Sequence, residues 1–237
     1  MTDAILKEAI VLAGGLGTRL RSAVPDLPKC MAPVGGRPFI EYVTDHFRRA
    51  GIERFLFALG YKSAAFDDFF RRQFPDGGYA VSIEEQPLGT GGAIRQACTL
   101  ARERTVLILN GDTFFRIGTR ELAAAHDARR ADCTICLKPM RDFDRFGAVE
   151  LDGEQRVSHF REKKFTHQGL INGGVYALDR EKFMAERLPA VFSFEKDYLE
   201  KSLDTRRIYG LVQDAYFIDI GIPEDYRRVQ QEINSLD

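Results

Sequence analysis

A chain of 237 residues, 44% hydrophobic and 29% charged, can bury a large core and is neither disordered nor fibrous. Its 34 lysines and arginines nearly balance 35 aspartates and glutamates, so nucleic acid and anionic membrane are not expected as partners. Met1 to Lys7 lacks the apolar stretch of a signal peptide, no run reaches membrane-spanning length, and 4 scattered cysteines make no disulfide framework; a cytoplasmic protein is expected.

Ala9 to Ala13 is a continuous apolar run ending in glycine, the pattern of a parallel strand covered on both faces. Pro38 to Ala50 reads as a helix, with proline at its start and Gly51 after its end. Phe55 to Leu59, Ser63 to Phe74, Tyr79 to Glu84, Gly91 to Arg104 and Val106 to Leu109 continue the alternation of strand and helix, which argues for βαβ units and a parallel sheet. Thereafter the pattern changes. Thr134 to Leu137, Ala148 to Leu151, Val157 to Phe160 and Val175 to Leu178 predict short strands between turn clusters, and helices return at Arg180 to Leu188, Glu195 to Ser202 and Pro223 to Asn234. No low-complexity linker divides the chain, so one α/β domain is expected over residues 1–237, its second half more antiparallel than its first.

The first strand runs into Gly14-Gly15-Leu16-Gly17-Thr18-Arg19-Leu20, the place where open α/β sheets bind ligands. Glycines let backbone N–H groups approach an anion, and Arg19 adds a bidentate phosphate donor. A Walker loop would need Gly-Lys-Ser/Thr where Thr18-Arg19 stands, and a dinucleotide fingerprint would need glycine where Leu20 stands. Lys29, between Pro28 and Cys30, is a candidate second phosphate contact. Glu85 to Ala93 places glycines 89, 91 and 92 between a strand and a helix, either as an eased turn capped by Thr90 or as a close approach to a flat ligand. Asp112 in Asn110-Gly111-Asp112 follows a buried strand, where an acid is either a helix or turn cap or a Mg²⁺ ligand; Asp219 in Phe217 to Gly221 ends another apolar strand, and two such carboxylates suit Mg²⁺ bound together with phosphate oxygens.

Taken in order, AGGLGTRL, PKCMAPV, EQPLGTGGA, NGD and FIDIG resemble the sugar-1-phosphate nucleotidylyltransferases over essentially the whole chain. Within that family, PLGTGGA followed by NGDTFF is most similar to the bacterial D-glycero-α-D-manno-heptose-1-phosphate guanylyltransferases, with mannose-1-phosphate guanylyltransferases and short uridylyltransferases next. The resemblance implies a single Rossmann-like nucleotidyltransferase domain with a mixed, mostly parallel central sheet. Residues 8–130 would mainly bind nucleotide, and residues 131–237, with a smaller antiparallel part, would bind the sugar phosphate.

It further implies that Leu12, Ala13, Gly14 and Gly15 line base and ribose, and that Gly15, Gly17, Thr18 and Arg19 wrap the triphosphate of an NTP, GTP favoured. Lys29 would meet the phosphates, Glu85, Gly89 and Thr90 would frame the base, and Asn110, Gly111 and Asp112 would complete the nucleotide site. Arg19, Lys29 and Asp112 would be catalytic, and Asp112 with Asp219 would hold Mg²⁺. Gly147, Glu162, Lys163, Asn172 and Gly173 would bind the sugar 1-phosphate. The product would be a nucleotide sugar for surface polysaccharide, and a homodimer is a further expectation. Cys30 stands where proline is common, Phe217 where tryptophan is frequent, and Ile222 where many relatives have threonine, none removing a charged group. The chain stops at Asp237 without the family's frequent β-helix, so no acyltransferase part is expected.

Other residues carry less. Cys133 and Cys136 lie three apart on an apolar strand and point to opposite faces, so buried free thiols are expected rather than a metal or redox pair. His46, His126, His159 and His167 show no metal-ligand spacing, and Phe66, Phe69, Phe70 and Phe74 sit at helical spacing as core. Glu195-Lys196-Asp197 fits either a sugar contact or a helix cap.

Overall fold

The computed structural model describes residues 5–15, 20, 24–60 and 62–232. Strand β1 (Glu8–Leu12) is followed by the two-residue ribbon of β2 (Pro33–Val34) and β3 (Arg37–Pro38), then by helix α1 (Phe39–Arg49). β4 (Arg54–Leu59), α2 (Asp67–Gln73), β5 (Tyr79–Ile83), α3 (Gly89–Cys98) and β6 (Thr105–Asn110) complete the alternating half. β7 (Thr113–Phe115) and α4 (Thr119–Ala128) lead to the long strand β8 (Cys133–Phe143), then β9 (Ala148–Leu151), β10 (Val157–Phe160) and β11 (Thr166–Asp179). α5 (Arg180–Met184), β12 (Ile208–Val212), β13 (Phe217–Asp219) and α6 (Pro223–Gln231) finish the chain.

The central sheet is mixed. β6, β1, β4 and β5 are parallel neighbours, and β11 joins antiparallel to β6. β11 changes partner along its length: Leu170 and Ile171 pair with β9, whereas Val175 to Asp179 pair with β6. Its register against β8 shifts between Asn172 and Tyr176, where that change occurs. The irregularity is therefore a consequence of one strand serving two sheet segments. Helices cover both faces, so β1 and β4 are buried nearly throughout and read as unbroken apolar runs. Phe69, Phe70 and Phe74 pack edge-on or tilted against Phe57 of β4, which makes the phenylalanine run core.

Several expected elements end elsewhere. α3 stops at Cys98 rather than Arg104, because the Glu8 carboxylate takes the amides of Arg102 and Glu103 at 2.6 and 2.8 Å and turns the chain into β6. α5 stops at Met184 rather than Leu188; the chain then straightens toward Pro189, held by Arg95 donating to the carbonyls of Leu188 and Pro189. Only residues 67–73 of the expected 63–74 helix are α-helical, after a 3₁₀ turn over 63–66. The expected 195–202 helix is a π-helical turn over 194–199 followed by a 3₁₀ turn. All 4 cysteines are buried and free. Among the described residues, no helix is long and apolar enough to cross a membrane.

Candidate active site

At the carboxyl end of the parallel strands lies a cavity of about 480 Å³, lined by Leu12 to Gly15, Lys29, Cys30, Ala58, Glu84, Pro87, Gly89, Thr90, Ala93, Asn110, Asp112 and Gly221. The ladder explains its floor. Leu12 pairs with Asn110 and with Ala58, and the Gly111 amide donates to Leu12 O at 2.9 Å, so the ends of β1, β4 and β6 open at one level. Gly111 itself is buried, and a Cβ there would stand 2.9 Å from Leu12 O. The expected triphosphate contacts Gly17, Thr18 and Arg19 lie outside the described residues.

Glu85, expected to frame the base, is exposed and absent from this lining; Glu84 takes the place. The Glu84 amide continues the β5–β4 ladder by donating to Leu59 O at 2.8 Å, and its Oε2 accepts the Leu88 amide at 2.8 Å. The chain bends at Glu85 just after β5, and of the two glutamates it is Glu84 that lines the cavity. The glycines of the same segment are occupied by protein. Cβ atoms on Gly91 and Gly92 would stand 2.1 Å from the Phe192 ring and 2.6 Å from Ala190 O. Gly89, at φ +69°, presses on Phe192 O, and Thr90 Oγ1 accepts the Phe194 amide at 2.9 Å. These glycines thus admit the strap 188–194 to the start of α3.

The charged centre is built by the ribbon of β7 and β13, in which Asp219 pairs with Thr113. Ile220 N–H donates to Asp112 O at 3.1 Å, bringing the two carboxylates together. Lys29 Nζ lies 2.5 Å from Asp112 Oδ2 and 3.2 Å from Asp219 Oδ1. Burial works against the charge on Lys29, but the two carboxylates outweigh it and raise its pKa. Burial, then repulsion from Asp112, raises the pKa of Asp219 against the pull of Lys29 and the Gly221 amide. The arrangement is a pair of oxygen donors already holding one cation, and of the three groups Lys29 and Asp112 line the cavity beside the glycine-lined wall.

The five residues expected to bind the sugar phosphate lie beyond that lining, around β9 and β11. Gly147 precedes β9, and a Cβ there would stand 2.6 Å from Arg161 O, so it sits against the chain leading to Glu162 and Lys163. Both of those side chains are exposed. Asn172 sits at the β11 irregularity, its Nδ2 donating to Tyr176 OH at 2.8 Å and its Oδ1 accepting the Gly174 amide at 3.0 Å. Gly173 is buried against the Phe115 ring, and Gly174, at φ +70°, packs on the Asn110 side chain. The two halves therefore meet between Asn110 and the 172–174 turn.

Residues 8–235 match the family described as Nucleotidyl transferase. The chain is 45% identical over 226 residues to the D-glycero-alpha-D-manno-heptose 1-phosphate guanylyltransferase of Aneurinibacillus thermoaerophilus, covering 95% of this chain and 98% of that one. It is 41% identical to the protein of the same description from Campylobacter jejuni, over 92% of this chain and 96% of that one. The solved structure of HddC from Yersinia pseudotuberculosis complexed with GMP-PN superposes with a TM-score of 0.85 at 33% identity, covering 96% of this chain and all of that chain.

Proposed function

The chain belongs to the Nucleotidyl transferase family, and from that premise we propose that it transfers a guanylyl group from GTP to D-glycero-α-D-manno-heptose 1-phosphate, releasing pyrophosphate and giving GDP-heptose. The observation that carries the reading is the pair Lys29 and Asp112 lining the glycine-lined cavity, with Asp219 bonded to the same lysine. The two heptose guanylyltransferase relatives, matched over nearly the full length of both chains, support the choice of guanine and heptose. Glu84 adds a chemical reason for guanine, whose N1–H and N2–H₂ donors suit a carboxylate acceptor.

An oxygen of the sugar phosphate attacks the α-phosphorus, a new P–O bond forms, and the bond to the β-phosphate oxygen breaks. A phosphate monoester with a second pKa of about 6 is already ionised at neutral pH, so no protein base is required. Lys29, held charged by its two carboxylates, supplies a cation at the phosphates, and Arg19 is assigned a second from its place in the glycine-rich loop. Asp112 and Asp219 fit a divalent ion: both are part-exposed oxygen donors, brought together by the Ile220 amide on Asp112 O, and already gathered about a positive charge. Mg²⁺ bound there would offset the negative charge of the triphosphate. Lys163 is assigned to the phosphate of the acceptor, and Asn172, Gly147, Glu162 and Gly173 to its ring. The two halves act as one unit in this scheme, nucleotide on one side of Asn110 and sugar on the other.

A matrix of nucleoside triphosphates against sugar 1-phosphates, with pyrophosphate release as readout, tests the proposal. Highest kcat/KM for GTP with the heptose 1-phosphate is expected. A clear preference for mannose 1-phosphate would replace the sugar, as would suit the 36% identical mannose-1-phosphate guanylyltransferase of Mycobacterium tuberculosis. Absence of pyrophosphate with every pair would overturn the reaction itself.

A further inference from the structure

The Ser193 to Asp197 turn divides its polar groups between two tasks. Ser193 Oγ accepts the Lys196 amide at 3.2 Å, and Asp197 Oδ2 accepts the Ser193 amide at 2.8 Å. Asp197 also pairs with Lys201 at 2.7 Å. These bonds close the turn, and Glu195 takes no part in them. Its carboxylate instead faces the Asn172 side chain and the positive charges of Lys163 and Lys196, while the ring of Phe194 before it packs edge-on against Tyr176, the centroids 5.2 Å apart.

Both flanks of Glu195 are fixed. The Asn172 amide is oriented by Tyr176 OH and the Gly174 amide. The backbone immediately before Glu195 is clamped to the main cavity, because the Phe194 amide donates to Thr90 Oγ1 and the Gly91 amide to Phe192 O at 3.0 Å. The glycines of α3 make that clamp possible by leaving room for Phe192. Glu195 remains exposed, and so can be reached by a ligand lying between Thr90 and Asn172.

We propose that Glu195 binds hydroxyl groups of the acceptor sugar and thereby helps decide which sugar 1-phosphate is used. This rests on the nucleotidyl-transfer reading above. An anion is repelled by the acceptor's phosphate, whereas Lys163 attracts it, so the two side chains give the acceptor subsite a polarity. The phosphate turns toward Lys163 and the hydroxyl-bearing ring toward Glu195. A carboxylate has about four acceptor positions, and with Asn172 beside one there remains room for two adjacent hydroxyl donors. A site built to pair with a hydroxyl rejects an analogue lacking it strongly, because the carboxylate is then left without its partner.

The test compares unaltered enzyme, Glu195→Gln and Glu195→Asp with GTP, D-glycero-α-D-manno-heptose 1-phosphate, and its 2-, 3- and 4-deoxy analogues. Glu195→Gln should raise KM for the sugar phosphate about 10- to 100-fold and leave KM for GTP unchanged. At least one deoxy analogue that is poor for the unaltered enzyme should be no poorer than the full sugar for Glu195→Gln. Glu195→Asp should recover part of the loss, which a general disturbance of the turn would not allow. An unchanged sugar-phosphate KM in Glu195→Gln, or the same deoxy penalties as in unaltered enzyme, overturns the role of Glu195 alone. Failure of unaltered enzyme to release pyrophosphate with any sugar 1-phosphate overturns the underlying reaction, and this inference with it.

Discussion

Asp219 stands beside Asp112 at the open end of the β7–β13 ribbon, close enough that repulsion between them adds to burial in raising the pKa of Asp219. Such crowding is unfavourable for the fold alone, and it makes sense where a cation is to be bound. Asp112→Ala and Asp219→Ala should each lower kcat by about 100-fold or more while circular dichroism stays unchanged. Near-normal turnover by either variant would remove the metal assignment.

Lys29 holds that pair together when no metal is present, its side chain only 13% exposed. Lys29→Met, similar in length, should cost the metal-free protein about 2 kcal/mol, read as a fall of roughly 4–8 °C in Tm. Saturating Mg²⁺ should then raise the Tm of the variant more than that of the unaltered protein. Equal shifts in EDTA and in Mg²⁺ would show that Lys29 does not balance the carboxylates.

His126 is buried, bonded through Nδ1 to Thr134 Oγ1 at 3.0 Å, and burial first of all lowers its pKa to about 4. A folded-state value below the ordinary 6.5 means that the unfolded chain takes up the proton more readily. The stability linked to His126 is therefore complete above about pH 6.5 and lost progressively as pH falls toward about 4, to a total of about 3 kcal/mol. Urea midpoints of unaltered protein and His126→Asn across that window should converge as pH falls. A constant difference would mean that His126 titrates normally in the fold.

Gly91 lies within α3, where replacing glycine by alanine usually stabilises a helix by about 0.5–1 kcal/mol. Here the sign should reverse, since the new methyl would stand 2.1 Å from the Phe192 ring. Gly91→Ala should lose about 1–3 kcal/mol in denaturant melts, and adding Phe192→Leu should return part of it. Stabilisation by Gly91→Ala would mean that the strap is not seated on α3.

Much of this protein could be read from its residues taken in order. β1, β4 and β6 are covered on both sides, so each appears as an unbroken apolar run, and the glycine-rich loop and Asp112 follow such runs directly. Asp112 and Asp219 could be singled out because a carboxylate at the end of a buried strand has few structural reasons to be there, and Lys29 because it follows Pro28 close after the glycine-rich loop. β12 was not legible, being five residues interrupted by Gly210, and α4 has few large apolar residues to mark a periodic face.

Chain order could not say which of Glu84 and Glu85 faces the cavity, because that depends on where β5 leaves the ladder. Nor could it distinguish glycines that admit a ligand from glycines that admit Phe192, since both leave the same mark in sequence. The Glu195-Lys196-Asp197 segment shows the division most clearly. Its composition allowed a cap or a sugar contact; the fold gives capping to Asp197 and leaves Glu195 beside Asn172. The order of most strands and helices, the chemical types of the site and the family are written in local patterns of residues, which is why they are legible along the chain. Which side chains meet is a matter of the fold, since Lys29 and Asp219 stand 190 residues apart and come together through sheet register and the β7–β13 ribbon.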